Sequence, residues 1–279
     1  FILLEGESKD DMLKEKKIQE LVSPWLKPEE YDIIRAAVYR FHSLMAKDFR
    51  KDNCFLIGDA AHQSPPFMGQ GMMSGYRDSL NLSWKLISVI KNSFPSTLLD
   101  SFEEERKPHS RFVVDGSAAI GKLMSAYADA VERNQPSDVP QELIDRGYGS
   151  FALPPLQNGI LFRGKSDSTS MAGSIFPQPL LMEGMECNKR LDALLGKGFC
   201  IVSKKEIDLN SEQKEFYEKI NSKFIVLEES ILNSSPSVKE VMKKNEVYIL
   251  RPDHHIFGST SDKITFDDLT EDLKERLNF

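Results

Sequence analysis

Apolar residues recur with helical spacing through much of the first half of the chain. From residue 73 to residue 87 they return at intervals of three and four, which predicts a helix. The stretch STLLDSFEEERKPHSRFVVDGSAAIGKLMSAYADAVE predicts a second long helix. We expect Pro108 to end or kink it, because proline has no amide donor. Residues 8–21 predict a shorter amphipathic helix that stops before Pro24.

Two segments of the first half have strand-like patterns instead. RAAVYRFHSLMA alternates, so a strand is predicted with Tyr39 on one face and His42 on the other. NCFLIGD is a short apolar run, which predicts a buried strand that stops at Gly58-Asp59.

The pattern changes after Gly173. PLLM, FCIVS, KFIVLEE and EVYILRPDHHIF are strand-like, and helical stretches separate them, which predicts a small α/β domain with a central sheet. The preceding residues, 151–172, are rich in Pro, Gly and Ser and follow no steady period. They predict a connector that runs over the surface.

Composition excludes several classes of protein. The 279 residues carry a net charge of −7, so we expect no nucleic-acid partner. No apolar run approaches the about 20 residues of a membrane span, so we expect no membrane partner. The three cysteines are far apart, which favours a reducing, cytoplasmic setting. The chain begins with Phe1 in the strand-like FILLEGE, and we expect it to be part of a longer protein.

The densest segment is IGDAAHQSPPFMGQGMMSGYRDSLNLSWKL, residues 57–86. Asp59 follows an apolar run, and its carboxylate can accept hydrogen bonds from a row of hydroxyls. Pro65-Pro66 fixes a turn, and Gly69 and Gly71 allow close backbone approach at the start of a helix. The first amides of that helix favour negative charge by about 0.3–1 kcal/mol. The segment therefore suits a flavin, which has ribityl hydroxyls and an electron-rich ring.

This segment closely resembles the second FAD-binding motif of the single-component FAD-dependent aromatic hydroxylases (group A flavoprotein monooxygenases). Within them it is most similar to the 3-(3-hydroxyphenyl)propionate hydroxylases. The shared positions are Gly58-Asp59-Ala60-Ala61-His62, Pro65-Pro66, Gly69-Gln70-Gly71, Gly75, Asp78, Asn81-Leu82 and Trp84-Lys85-Leu86. The flanks VYRFHSLMAKDFR and LLDSFEEERKPHSRF also resemble this group. GSIFPQPLL, LDALLGKGF and YILRPDHHI resemble its carboxyl-terminal thioredoxin-like domain, so the resemblance covers nearly the whole chain.

The resemblance implies an α/β (α+β) fold. It would consist of the carboxyl-terminal part of a p-hydroxybenzoate-hydroxylase-like FAD domain, followed by a thioredoxin-like domain. The implied ranges are 1–150 for a partial FAD- and substrate-binding domain, 151–172 for a connector and 173–279 for the thioredoxin-like domain. Cys187 and Cys200 are 13 residues apart, so the last domain has no CxxC and we expect no redox role for it.

The resemblance also implies an FAD-dependent monooxygenase that hydroxylates a phenolic small molecule with NAD(P)H and O2. Asp59 would bind the ribityl chain, Pro66 would lie beside the reactive edge of the flavin, and the amides of residues 71–73 would hold the pyrimidine carbonyl. Tyr39 and His42 are candidate substrate contacts. The implied cofactor-binding residues are Gly58, Asp59, Pro66, Gly69, Gln70, Gly71, Met72 and Met73.

Two departures from the family pattern leave a second hypothesis open. Met73 stands where relatives usually carry Asn, which we expect to weaken FAD binding. No GxGxxG follows a strand, so the dinucleotide fold that grips the ADP half of FAD would have to precede Phe1. The chain is therefore predicted to be either the carboxyl-terminal part of a monooxygenase or a non-catalytic remnant. The remnant would serve as a packing or dimerisation module, for example in a homodimer.

Other chemistry has weaker support. Asp59 and His62 do not indicate a metal site, and His254-His255 on a predicted strand would point to opposite faces. Arg106 is predicted to be an ion-pair partner on a helix surface. No GxSxG motif indicates a hydrolase.

Overall fold

The structure is a computed structural model that describes residues 1, 3, 6–91, 94–133, 141, 153–164, 171–183 and 186–279. The chain forms two compact units that alternate along the sequence. The first comprises Phe1–Ala46, His62–Met73 and Arg111–Phe151, and the second comprises Lys47–Ala61, Ser74–Ser110 and Ala152–Phe279. The consecutive domain ranges inferred from the sequence stay a prediction, because a compact unit and a family domain are defined differently.

The described helices include two long ones that match the predicted periodic segments. The 21-residue helix begins at Gly71, and the 32-residue helix ends at Glu132. The helices are α1 (Lys9–Met12), α2 (Glu15–Val22), α3 (Gly71–Lys91), α4 (Ser101–Glu132), α5 (Leu191–Leu195), α6 (Ser211–Lys219), α7 (Glu229–Ser234), α8 (Pro236–Lys244) and α9 (Phe266–Leu277). Residues 8–21 therefore form two short helices rather than the single predicted one.

The described strands of the first half are short, and those of the second half build a larger sheet. The strands are β1 (Leu44–Met45), β2 (Arg50–Lys51), β3 (Cys54–Phe55), β4 (His62–Gln63), β5 (Leu180–Glu183), β6 (Glu186–Arg190), β7 (Cys200–Ser203), β8 (Lys223–Val226), β9 (Val247–Leu250) and β10 (Ile256–Ser259). Antiparallel pairs join β1 to β4, β2 to β3 and β5 to β6.

The larger sheet has the strand order β10-β9-β7-β8. β7 and β8 are parallel and are linked by α6, whereas β9 is antiparallel to both β7 and β10. Alternate side chains of the sheet enter two apolar clusters: Ile201 lies in one, and its neighbours Cys200 and Val202 lie in the other. Helices cover both faces, and the α/β class predicted for this part of the chain is confirmed.

The end of α3 belongs to the same core. Trp84 of α3, Phe94 and Leu98 share an apolar cluster with Ile201 and Phe257 of the sheet. This packing places α3 from Ser74 onward and the start of α4 in one compact unit with the carboxyl-terminal sheet.

Three local predictions are wrong. Residues 31–43 form no strand, so the expected alternation at Tyr39 and His42 is not realised. α4 runs through Pro108 without a break, because buried residues on both sides anchor it in the core. The described part of residues 151–172 is not a surface connector: Leu156 is 4% exposed, and the amide of Phe162 donates to the carbonyl of Phe257.

Within the described residues, no helix combines the length and the apolar character that a membrane-spanning segment requires.

Candidate functional site

The segment around Asp59 is a turn rather than the end of a long buried strand. β3 contains only Cys54 and Phe55, and the following Ile57 is 40% exposed. A 3-10 turn, Gly58–Ala60, comes next, and its first residue has φ +56°, which favours glycine. The predicted buried strand is therefore wrong. Asp59 itself is exposed, so its carboxylate is accessible to a ligand.

The start of α3 has the local geometry predicted for close ligand approach. Pro66 begins a second 3-10 turn, Pro66–Met68, and Gly69 ends it in the left-handed region at φ +62°. A Cβ added to Gly69 or Gly71 would meet nothing within 4 Å, so the backbone is open there. The amides of the first turn of α3 lack intrahelical acceptors and carry partial positive charge. The start of a helix therefore favours electron-rich or anionic groups.

The remaining predicted positions are accessible to different degrees. Met72 is 70% exposed and Met73 is 42% exposed, whereas Gln70 is partly buried. Tyr39 is 63% exposed and His42 is also exposed. Gly58 and Asp59 belong to one compact unit, whereas residues 66–73, Tyr39 and His42 belong to the other.

A buried carboxylate of α3 holds the turn that carries Asp59. The amide of Gly58 donates to Asp78 Oδ2 at 2.9 Å, and Arg106 Nε donates to Asp78 Oδ1 at 2.8 Å. Asp78 is 0% exposed and Arg106 is 1% exposed. Arg106 is an ion-pair partner as predicted, but it is buried in the core and not on a helix surface.

His109 extends this contact and is held neutral. Arg106 donates to His109 Nδ1 at 2.6 Å, so His109 Nε2 carries the proton that it donates to the carbonyl of Pro154 at 3.0 Å. Burial lowers the pKa of His109 to about 4, and the charge of Arg106 acts in the same direction.

A second buried network contains several other residues from the segments that resemble the FAD-dependent hydroxylases. Glu105 binds Arg251 through two bonds of 2.8 Å and accepts from Lys85 Nζ at 2.8 Å and from Asn81 Nδ2 at 2.6 Å. Arg251 also donates to Asp253 Oδ2 at 2.6 Å. Two motif residues of α3, Asn81 and Lys85, are thereby connected through Glu105 of α4 to Arg251, which follows β9.

The charged groups of this network shift one another's pKa values. Burial by itself raises the pKa of Glu105, but the positive charges of Arg251 and Lys85 outweigh it and lower the pKa to about 2. Burial lowers the pKa of Lys85 to about 8, although Glu105 opposes that shift. Glu105 is therefore ionised throughout the physiological pH range.

Neither buried network was predicted from the sequence. Glu105 and Arg251 are 146 positions apart, so no local pattern relates them. The sequence does contain a sign of buried ion pairs. Acidic and basic residues stand together in EEER and RPD, inside segments that are otherwise apolar and periodic.

Metal binding has no support among the residues that the structure describes, since no three His, Cys, Asp or Glu side chains converge. His254 lies in the turn between β9 and β10 with φ +63°, so the strand predicted for His254-His255 is wrong at that point. His255 Nδ1 lies 3.3 Å from Asp253 Oδ1.

Comparison with known proteins identifies the relationship. Residues 5–117 match the family model described as FAD binding domain. The chain is similar in sequence to FAD-dependent aromatic hydroxylases. A 3-(3-hydroxy-phenyl)propionate/3-hydroxycinnamic acid hydroxylase of Mycolicibacterium vanbaalenii is 38% identical over 186 residues, which cover 63% of this chain and 32% of the relative. The resemblance inferred from the motif is thereby confirmed.

Two further matches extend the comparison. A probable NADH-specific resorcinol 4-hydroxylase of Rhodococcus jostii is 29% identical, over 73% of this chain and 37% of the relative. A solved aklavinone-11 hydroxylase in complex with FAD and aklavinone has a TM-score of 0.68 at 20% identity, over 99% of this chain and 53% of that chain. This likeness confirms the fold. The chain spans about a third of the length of these curated relatives.

Proposed function

We propose that this chain is part of an FAD-dependent aromatic hydroxylase and that residues 57–73 bind the ribityl and isoalloxazine portions of the flavin. The observation that carries the proposal is local geometry at the motif positions. Asp59 is exposed on a turn, and the backbone at Gly69 and Gly71 is open beside the start of α3. The match of residues 5–117 to the FAD binding domain family supports it.

Each of these residues has a role that its chemistry allows. The carboxylate of Asp59 accepts hydrogen bonds from ribityl hydroxyls, and the amides of residues 71–73 donate to a pyrimidine carbonyl of the flavin. Gly58, Gly69 and Gln70 shape the backbone around these contacts. Pro66 has no amide proton, so it offers an apolar ring edge without a competing donor.

When bound and reduced by NAD(P)H, FAD would supply the chemistry that transfers one oxygen atom of O2 to a phenolic ring and releases the other as water. Tyr39 and His42 are exposed polar groups that we assign to contacts with the substrate. The phenol class is supported by the names of the relatives, which are hydroxylases of phenolic compounds.

A titration of the purified chain tests the flavin assignment. FMN carries the isoalloxazine ring and the ribityl chain, whereas ADP carries neither. Since the sequence has no GxGxxG, we expect saturable quenching of FMN fluorescence with a Kd on the order of 0.1–1 mM. FAD should bind with a similar affinity, and ADP should not compete.

Two variants sharpen this test. Asp59→Ala removes the carboxylate and should weaken FMN binding by about 10- to 150-fold, because a charged hydrogen bond contributes about 1.5–3 kcal/mol. Asp48→Ala removes another exposed carboxylate of the same unit and should leave the Kd unchanged. Equal FMN affinity in Asp59→Ala and the unmodified chain would contradict the assignment.

The alternative function, a packing or dimerisation module, is favoured by a separate observation. α3 exposes an apolar stripe along one face: Tyr76, Leu80, Ile87 and Ile90 are each more than half exposed. Sedimentation equilibrium on the chain measures self-association through this stripe. A dimer that binds no FMN would favour the alternative over the flavin proposal.

A further inference from the structure

Gly58 is restrained from two sides by α3. Its amide donates to Asp78 Oδ2 at 2.9 Å, and its Cα lies against Gly75, where an added Cβ would approach it to 3.3 Å. Gly75 and Asp78 are three residues apart, so they present one face of the helix to the same glycine. The left-handed φ of Gly58, +56°, is thus held by direct contact as well as by the absence of a side chain.

Asp78 cannot turn away from Gly58. Its second oxygen accepts from Arg106 Nε at 2.8 Å, and both side chains are almost completely buried. A carboxylate with both oxygens engaged keeps its orientation, because rotation would break two charge-assisted bonds without access to water. Asp78 therefore fixes the direction of the Gly58 peptide plane relative to α3.

Asp59 is the next residue, and it is exposed. The place of its carboxylate is set mainly by the backbone of the 3-10 turn, Gly58–Ala60, since burial does not immobilise its side chain. We propose that Gly75 and Asp78 are positioning residues for flavin binding, which set the carboxylate of Asp59 through the backbone of Gly58. This inference rests on the proposed role of Asp59.

Gly75→Ala is the sharpest test, because it disturbs the contact and leaves the buried charges intact. The added methyl group must displace the Gly58 turn by a few tenths of an ångström. Alanine has a higher helix propensity than glycine, so α3 itself is not weakened. We expect FMN to bind about three- to tenfold more weakly, as positional errors of this size reduce binding, while thermal stability stays the same or rises.

A loss of affinity without a loss of stability separates positioning from a merely structural role. Ser83→Ala is the matched control, since it also increases helix propensity on α3 but changes an exposed side chain away from Gly58. It should leave the FMN Kd unchanged.

Asp78→Asn provides a second, independent variant. The asparagine side chain is neutral and has one oxygen in place of two, so it cannot accept from both the Gly58 amide and Arg106 in the native geometry. The restraint on Gly58 therefore weakens. Glu103→Gln is its control: Glu103 accepts from the amide of Phe49 at 2.8 Å, so it also holds a loop from a helix, but not the loop of Asp59. We expect weaker FMN binding in Asp78→Asn and not in Glu103→Gln.

A flavin-independent measurement keeps the inference separate from the proposed function. Hydrogen exchange of the Gly58 amide in the 279-residue chain, followed by NMR, should accelerate about tenfold or more in Asp78→Asn and remain unchanged in Glu103→Gln. If the Gly58 amide exchanges at the same rate in both variants, the inference is overturned. If Asp59→Ala weakens FMN binding but Gly75→Ala and Asp78→Asn do not, the inference fails and the proposed function stands. If Asp59→Ala has no effect, both fail.

Discussion

Replacing Glu105 with glutamine should destabilise the chain strongly, because it removes the carboxylate of a buried network. Glu105 is 2% exposed and faces two cations, Arg251 and Lys85, each at 2.8 Å. Arg251 keeps a second carboxylate, Asp253, at 2.6 Å. Lys85 has no other carboxylate among its described hydrogen-bond partners, and it therefore bears most of the loss.

The substitution should lower the free energy of unfolding by about 3 kcal/mol. Removing one partner of a buried ion pair costs about 3–5 kcal/mol, and the surviving Arg251–Asp253 pair favours the lower end. The pKa of Glu105 is lowered from 4.5 to about 2, and this shift corresponds to about 3 kcal/mol at 1.36 kcal/mol per unit. Both figures are a large fraction of the about 5–15 kcal/mol by which proteins are stable.

Urea unfolding at pH 7 measures this loss. The chain has two tryptophans, of which Trp25 is 71% exposed and Trp84 is 6% exposed with its Nε1 bonded to Asp253. In a Trp25→Phe background, fluorescence reports Trp84 and hence the network itself. Glu104→Gln, an exposed neighbour on α4, is the matched control and should change the free energy of unfolding by less than about 0.5 kcal/mol.

The pH dependence adds an independent check. A carboxyl group whose pKa is lowered on folding stabilises the folded state above its unfolded pKa, and that stability is lost as the pH falls. Glu105 should therefore contribute fully above pH 4.5 and lose its contribution between pH 4.5 and about 2. Glu105→Gln should lack this part of the acid destabilisation. A variant within about 1 kcal/mol of the unmodified chain at pH 7, with an unchanged slope below pH 4.5, would refute the reasoning.

Three further predictions concern single side chains. The pKa of His109 is lowered from 6.5 to about 4, so the folded state holds this side chain neutral. The free energy of unfolding should therefore fall by about 3 kcal/mol as the pH drops from 6.5 to 4. Urea unfolding of His109→Gln should show a flatter dependence on pH in that range. Met73→Asn introduces a hydrogen-bonding side chain at the start of α3 and should tighten FMN binding about two- to fivefold by fluorescence titration; an unchanged Kd would argue against a flavin contact at this position. Leu156→Ala should cost about 2–5 kcal/mol in urea unfolding because the side chain is buried, whereas a cost below about 0.5 kcal/mol would restore the surface-connector interpretation.

Much of the fold was predictable from periodicity. α3 and the sheet of residues 200–259 follow patterns that a few consecutive residues define, because helix and strand faces repeat every 3.6 and 2 residues. The motif residues around Asp59 were also recognisable in the sequence. Glycine stands both at position 58, where φ is +56°, and at position 71, where the backbone is open.

The features of the fold that were not predicted from the sequence depend on contacts between residues far apart in the chain. Residues 35–43 alternate but form no strand, because alternation requires a partner strand that their own sequence cannot specify. The connector has the composition of a loop, yet Leu156 is buried and Phe162 packs in an apolar cluster of the carboxyl-terminal sheet. The partnership of Glu105 with Arg251 joins positions that only the folded chain brings together.

The most direct test of the central claim is a titration of the isotope-labelled chain with FMN and, separately, with ADP, followed residue by residue through the backbone amides. We expect FMN to shift the amide resonances of Gly58, Asp59 and residues 69–73 in a saturable way, and ADP to shift none of them at the same concentration. Shifts confined to other residues, or no saturable shift with FMN at concentrations on the order of 1 mM, would contradict the claim that this segment binds the flavin.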